Sequence, residues 1–225
     1  MKTLRYRGVV VSVAVVAVLA AAAWANVYLL DFQGFDYWSP ATCYNAVGDV
    51  TAVNSDYLTF DYGNNEYTFS LQNVCSVMVD STSLAGLYIW SFVGGTVDIY
   101  EDALVGGTAR DYGINPPNAT APSTFEDGTL VLGGDFSMMT LVWNSFTGEG
   151  SLEGTMDLNR GSQLANIPMD QRTGWTLAAL RDVDGSIPTP EGYNWQIDGY
   201  LEISDPIAVQ PKSWGQLKQL YNGGE

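Results

Sequence analysis

The chain has 225 residues, with 25 acidic against nine basic residues, a formal net charge of −16 and no histidine. The lack of histidine excludes Ser-His-Asp and Cys-His nucleophiles, and it excludes histidine-ligated zinc, copper, iron and haem. The negative charge disfavours nucleic acid as a partner, because phosphate backbones would be repelled.

The first 25 residues have the layout of a secretory signal peptide. Three basic residues precede an apolar stretch at residues 9–23, and the small residues Ala23 and Ala25 bracket Trp24. We predict cleavage after Ala25, with an uncleaved N-terminal anchor as the alternative. The mature chain would then hold six basic and 25 acidic residues, a net charge of −19. With no later segment apolar enough to span a bilayer, we expect a secreted or extracytoplasmic protein, on the cell surface or in the periplasm.

Cys43 and Cys75 are the two cysteines of the chain. In an oxidising compartment such a pair is most simply a disulfide, and two free buried thiols are the alternative. A zinc site is disfavoured, because two cysteines without histidine do not complete the usual ligand shell.

Strand patterns dominate residues 27–203, where short runs of Val, Tyr, Phe, Leu and Thr are separated by Gly, Asn and Asp. Gly94-Gly95 and Gly133-Gly134 are predicted to be two-residue hairpin turns, since glycine accepts the positive φ angles that such turns need. Residues 113–123 are predicted to be an irregular excursion. The pattern predicts an all-β domain over residues 26–205, either an antiparallel, jelly-roll-like β-sandwich or a partly closed barrel.

Residues 206–225 are predicted to form a linker and a short C-terminal helix. Apolar residues fall at helical spacing there, and both lysines of the mature part accompany them. A helix this short needs a surface to fold against, which is either its own domain or an export or cell-surface component. The partner-binding residues would be Trp214, Leu217, Lys218, Leu220 and Tyr221.

One turn resembles part of a calcium loop. Asp182, Asp184 and Ser186 place oxygen ligands at alternate positions around Gly185, as calcium sites require. The remaining ligands of an EF-hand are missing, so an ordinary Asp-Gly turn is the alternative. Calcium is the one candidate cofactor.

An aromatic cluster suggests glycan binding. Tyr193, Asn194, Trp195 and Gln196 combine rings that can stack on sugars with amides that can hydrogen-bond hydroxyls. The alternative is that these rings fill a β core, which aromatic residues do efficiently.

Parts of the chain resemble uncharacterised exported bacterial β-rich proteins. The resemblance lies in Thr-Phe-Glu-Asp-Gly-Thr-Leu-Val-Leu-Gly-Gly at residues 124–134, in residues 148–151 and 161–165, and in a Trp-Gly-x-Leu-Lys-x-x-Tyr tail at residues 214–221. It implies an exported β-rich protein, carries no activity and transfers no functional residue.

The sequence therefore favours an extracytoplasmic binding or surface-structural protein, with glycans as a candidate ligand. A carboxylate-dependent, glycoside-hydrolase-like enzyme is the alternative, because such enzymes need only Asp and Glu. Asp98 with Glu101, or Glu126 with Asp127, qualify merely by being acidic, so no catalytic residue is assigned.

Overall fold

The computed structural model describes residues 25–37, 43–81, 84–104, 122–182 and 189–205. The chain divides into two units, Val27–Ile203 and a second unit made of Met1–Asn26 with Ser204–Glu225. All described side chains belong to the first unit. The predicted signal peptide, apart from the backbone of Ala25, and the predicted tail helix both lie outside the described residues.

The described residues form nine strands and three short 3₁₀ helices. The strands are β1 (Ala25–Asp36), β2 (Cys43–Val53), β3 (Asn65–Asp80), β4 (Leu87–Val93), β5 (Thr96–Ala103), β6 (Thr129–Asn144), β7 (Gly150–Arg160), β8 (Trp175–Asp182) and β9 (Trp195–Asp205). The 3₁₀ helices are Pro122–Phe125, Leu164–Asn166 and Met169–Gln171. Within this described part, no helix has the length and apolar character needed to cross a bilayer.

Eight of the strands close into an antiparallel barrel in the order β1, β2, β3, β5, β6, β7, β8, β9 and back to β1. Closure follows from two pairings, β2 with β3 and β5 with β6, which join what would otherwise be sheet edges. The all-β prediction is therefore confirmed. Of the two architectures predicted, the barrel is found, fully rather than partly closed, and the sandwich is not confirmed.

The ninth strand, β4, lies outside this ring and in line with β5. Both strands run antiparallel to β3 and β6, so Gly94 and Gly95 interrupt one long strand and do not connect a hairpin. The predicted hairpin is wrong, although both glycines have positive φ, 65° and 88°. They form a bulge where a Cβ on Gly95 would lie 2.6 Å from the carbonyl oxygen of Gln72.

The hairpin predicted at Gly133-Gly134 is also wrong, because both glycines lie inside β6. Neither has a positive φ. A Cβ on Gly133 would lie 2.0 Å from Oδ1 of Asp98 and 2.9 Å from Nε of Arg160. Gly133 therefore allows the close approach of a neighbouring ion pair, and a local sequence pattern does not distinguish this need from a turn.

Side chains fill the interior of the barrel. Phe32, Phe69, Leu132, Trp175 and Leu201 are among the buried residues, and the Trp175 indole donates a hydrogen bond to the carbonyl oxygen of Gln171 at 2.6 Å. One internal cavity of about 20 Å³ is lined by Phe32, Phe69 and other apolar residues. That is space for about one water molecule, so this cavity does not hold a ligand.

One side of the barrel is covered on its outside by residues 122–128. Phe125 is buried there against Phe35 and Val47. The Thr68 hydroxyl donates to the carbonyl oxygen of Phe125 at 2.8 Å, and Ser70 donates to the carboxylate of Glu126 at 2.6 Å. This cover explains why polar, outward-facing positions of β3 are buried.

The predicted disulfide is confirmed. Cys43 and Cys75 stand directly opposite each other in the β2–β3 register and are bonded, with their Cα atoms 4.1 Å apart. The bond fastens the start of β2 to β3.

Replacing both cysteines by serine is expected to lower the free energy of unfolding by about 3 kcal/mol, because the bridge restricts the unfolded chain. The bridged residues are 32 positions apart. Urea unfolding with and without a thiol reductant measures the effect. The reductant should destabilise only the protein that retains both cysteines, and equal stability under the two conditions would contradict a structural role for the bond.

Candidate functional site

A buried ion pair lies at one end of the barrel, which we name the Arg181 end. β1, β3, β6 and β8 finish at this end, and β2, β4, β7 and β9 begin there. Arg181 Nε lies 2.9 Å from Asp36 Oδ2, with side chains that are 1% and 0% exposed. Strands that are distant in the chain thus place opposite charges together inside the barrel.

Aromatic rings surround the guanidinium group of Arg181. Its central carbon lies 3.3 Å from the ring centroid of Trp195 and 5.9 Å from that of Trp143. The rings of Tyr88, Trp90 and Trp143 pack on one another with centroids 5.4–5.7 Å apart. Cation–π attraction therefore adds to the charge of Asp36 in positioning Arg181.

Burial dominates the electrostatics of this pair. Desolvation raises the pKa of Asp36 to about 7, against the opposing effects of Arg181 and of a hydrogen bond from Tyr44. Desolvation likewise lowers the pKa of Arg181, against the attraction of Asp36. For each group the loss of water outweighs the partner's attraction, so the pair is not a net source of stability compared with apolar residues of similar volume.

An open groove of about 390 Å³ lies at the same end. It crosses β4, β6, β7 and β8 and the turn between β6 and β7. Its described lining residues include three aliphatic ones and three polar ones. The aliphatic residues are Leu87, Val142 and Leu180, and the polar ones are Asn144, Glu149 and Ser151; Gly150 and Arg181 also line the groove. The groove thus combines apolar walls with an amide, a carboxylate and a hydroxyl group.

The β6–β7 turn that forms one rim of the groove is held by several hydrogen bonds. The Asn144 backbone N–H donates to the carbonyl oxygen of Glu149 at 2.9 Å, and the Asn144 side chain accepts from the backbone N–H of Phe146 at 2.9 Å. The Trp143 indole donates to the carbonyl oxygen of Gly148 at 3.2 Å. Trp143 therefore connects this rim with the aromatic surround of Arg181.

The structure separates the four residues predicted to bind glycan. Tyr193 packs against Phe35, with ring centroids 5.7 Å apart, whereas Trp195 covers Arg181. Gln196 is buried, and the exposed Asn194 donates its backbone N–H to the carbonyl oxygen of Asp36 at 2.8 Å. The four therefore have different surroundings, and glycan binding by them stays a prediction.

The residues that line the groove were not recognised from the sequence. The alternation of β7 predicts that Ser151 faces outwards, but it cannot show that Val142 and Leu180 are its neighbours. The register places these two residues opposite Ser151 on either side. The sequence signal for this groove is an apolar residue at an outward position of a strand, as Leu180 is on β8.

The predicted calcium turn lies mostly outside the described residues. Asp182 ends β8, its side chain is not among the described ones, and Asp184 and Ser186 lie beyond them. Within the described ranges, no group of three or more acidic or cysteine side chains could hold a metal ion. Calcium binding at Asp182–Ser186 stays a prediction.

Three of the four acidic residues weighed as catalytic candidates have structural partners, and among the described contacts none of the fourth, Asp127, bears on catalysis. Asp98 pairs with Arg160 at 2.6 Å, and Glu101 accepts a hydrogen bond from Tyr67 at 2.6 Å. Glu126 accepts from Ser70 in the covering segment. None of these carboxylates lines the groove, where Glu149 is the one acidic residue among the described lining residues.

Comparison of the chain with protein-family models, with curated proteins and with solved structures found no match in any of the three. No property of another protein is therefore carried over to this one. The inference of function rests on the filled barrel, the buried ion pair and the open groove.

Proposed function

We propose that this protein is an exported binding protein and that its ligand binds in the groove at the Arg181 end. The observation that carries the proposal is the contrast between an internal cavity of about 20 Å³ and an external groove of about 390 Å³. Small-molecule sites have volumes of roughly 300–1,000 Å³, so the groove is large enough and the internal cavity is not. The signal-peptide pattern and the disulfide support export.

The lining favours a neutral ligand rich in hydroxyl groups, and a glycan is the class we propose. Asn144, Glu149 and Ser151 offer both donors and acceptors for hydroxyl groups, while Leu180 and Val142 can pack on the apolar face of a sugar ring. An anionic ligand would be repelled by a mature chain of net charge −19.

The groove has a rigid foundation, which favours binding because little order has to be created when the ligand arrives. Arg181 borders the groove on β8, and its buried side chain is held inside the barrel by Asp36 and Trp195. The hydrogen bonds of the β6–β7 turn hold the rim that this turn forms.

We do not propose glycoside hydrolysis for this groove. That reaction needs two carboxyl groups about 5–10 Å apart on either side of the sugar bond. Among the described lining residues Glu149 is the one carboxylate, so the described part of the groove offers no pair for this reaction and we propose binding.

Replacing Ser151 by tryptophan is expected to weaken ligand binding, because the indole would occupy part of the groove. An oligosaccharide array probed with the mature chain identifies the ligand, and titration calorimetry then compares the variants. We expect affinity to fall by at least about tenfold, which corresponds to about 1.4 kcal/mol.

Thr155→Trp is the matched control, because Thr155 is also exposed on β7 but does not line the groove. It should bind the same oligosaccharide as the unmodified protein does. Equal affinity of both tryptophan variants, or an array without any binding, would contradict the proposal.

A further inference from the structure

Three large apolar side chains are exposed on the outside of the barrel where β3, β4 and β6 meet. Met78 is 61% exposed, Val93 44% and Met138 54%. Val93 stands opposite Met138 in the β4–β6 register, and Met78 stands opposite Ser91 in the β3–β4 register. We name Met78, Ser91, Val93 and Met138 the outer β4 face.

This face contrasts with the other side of the barrel. There, residues 122–128 cover the outward positions of β3 and bury Thr68 and Ser70. On the outer β4 face the described residues instead leave large apolar side chains exposed. Exposed apolar side chains that lie together mark interaction surfaces, whereas single scattered ones are normal on any protein.

The surroundings of the face are acidic. Thr155 stands opposite Met138, and its outward neighbours on β7 are the exposed residues Glu153 and Asp157. Of the described basic residues, Arg160 contacts Asp98 and Asp135, and Arg181 is buried. Arg172 donates to the carbonyl oxygen of Ile167. A partner with positive charges around an apolar centre would complement this face.

We infer that the outer β4 face docks a cationic amphipathic helix of a partner protein. The apolar side of the helix would pack on Met78, Val93 and Met138, and its Lys or Arg side chains would lie near Glu153 and Asp157. Methionine suits such a surface because its side chain adapts its shape to the partner. A second copy of the chain is disfavoured, since each mature copy carries a net charge of −19.

The pairing of the strands favours a helix over a strand as the bound element. An extended partner adds to a free sheet edge, but β4 is paired on both sides, with β3 and with β6. Recognition therefore has to use side chains, and a helix presents these at spacings of three and four residues along one face.

The test uses the mature chain and two fluorescein-labelled amphipathic peptides of about five helical turns, made of Leu with Lys or of Leu with Glu. The apolar positions of the two peptides are identical. Fluorescence anisotropy at low and high salt is expected to show binding of the Leu/Lys peptide at least about tenfold tighter than that of the Leu/Glu peptide. The affinity for the Leu/Lys peptide should fall as salt screens the acidic rim.

Variants locate the binding surface. The double substitution Met78→Ser with Met138→Ser should weaken Leu/Lys binding by about tenfold or more. Met169→Ser is the matched control, because Met169 is 80% exposed but belongs to the 3₁₀ helix Met169–Gln171. It should leave the affinity unchanged, and thermal melting confirms that each variant folds.

Glu153→Gln should weaken binding less than the double variant does and should reduce its dependence on salt. Equal affinity for the two peptides, or full affinity in the double serine variant, would overturn the inference. Sedimentation that shows a dimer broken by the double variant would also overturn it, because a second copy would then cover the face.

Discussion

Arg181→Met is expected to lower the free energy of unfolding by about 3–5 kcal/mol at pH 8, because it leaves the buried Asp36 carboxyl without its cation. Asp36 is completely buried, so water cannot replace the lost partner. Replacing both members, as Asp36→Leu with Arg181→Met, should recover most of that loss, since an apolar pair avoids the desolvation of two charges. Urea unfolding of the single and double variants measures the effect.

The pH dependence provides an independent readout of the same pair. The pKa of Asp36 is raised from 3.8 to about 7 in the folded state. Its contribution to stability is therefore fully present below about pH 4 and is lost as the pH rises through about 7. The unmodified protein should become less stable between about pH 4 and pH 7. The double variant should lose most of that slope, and an unchanged slope would show that other groups cause it.

Gly48→Ala is expected to destabilise the barrel by about 3 kcal/mol or more, because no space exists for the added methyl group. Gly48 faces Gly34 in the β1–β2 register. A Cβ on Gly48 would lie 2.0 Å from the carbonyl oxygen of Gln33 and 2.6 Å from Cε1 of Phe69. The first clash is with backbone, so β1 and β2 would have to separate.

Gly63→Ala is the matched control for that substitution. Gly63 lies in an exposed turn, its φ is not positive, and the nearest atom to an added Cβ is a side-chain oxygen of Asp61 at 3.3 Å. We expect a change within about 0.5 kcal/mol for this exposed site. Thermal and urea unfolding compare the two alanine variants, and similar stabilities would show that the β1–β2 contact tolerates a methyl group.

The filled interior has a consequence for function. The interior cavity of about 20 Å³ among the described residues is too small for a ligand, so in this part of the chain the outer surface and the ends of the barrel are the candidate recognition sites. The groove and the outer β4 face provide two surfaces of different chemistry. The groove is part polar and the outer β4 face is mainly apolar, so a small ligand and a protein segment need not compete.

The sequence by itself determined the all-β class and the disulfide. Tyr67, Phe69 and Leu71 alternate with polar residues, and all three are buried in the barrel, because successive side chains of a strand point to opposite faces. The bond between Cys43 and Cys75 could be predicted without geometry, since two cysteines allow a single intramolecular disulfide. Both inferences depend on strand periodicity or composition alone.

Tertiary structure decided whether the sheet closes and what its glycines do. Gly94-Gly95 and Gly133-Gly134 have the local signature of turns, yet one pair forms a bulge and the other admits the Asp98–Arg160 pair. A glycine in the sequence leaves space where another residue would have a side chain. Which atoms occupy that space depends on strands that are distant in the chain.

The candidate site was likewise decided by tertiary structure. Asp36 and Arg181 are separated by most of the chain, and neither stands in a motif that predicts a buried ion pair. Ser151 and Leu180 become neighbours only through the β7–β8 register. Local patterns report which face of a strand is apolar, whereas the pairing of strands in the closed barrel determines which side chains meet at the Arg181 end.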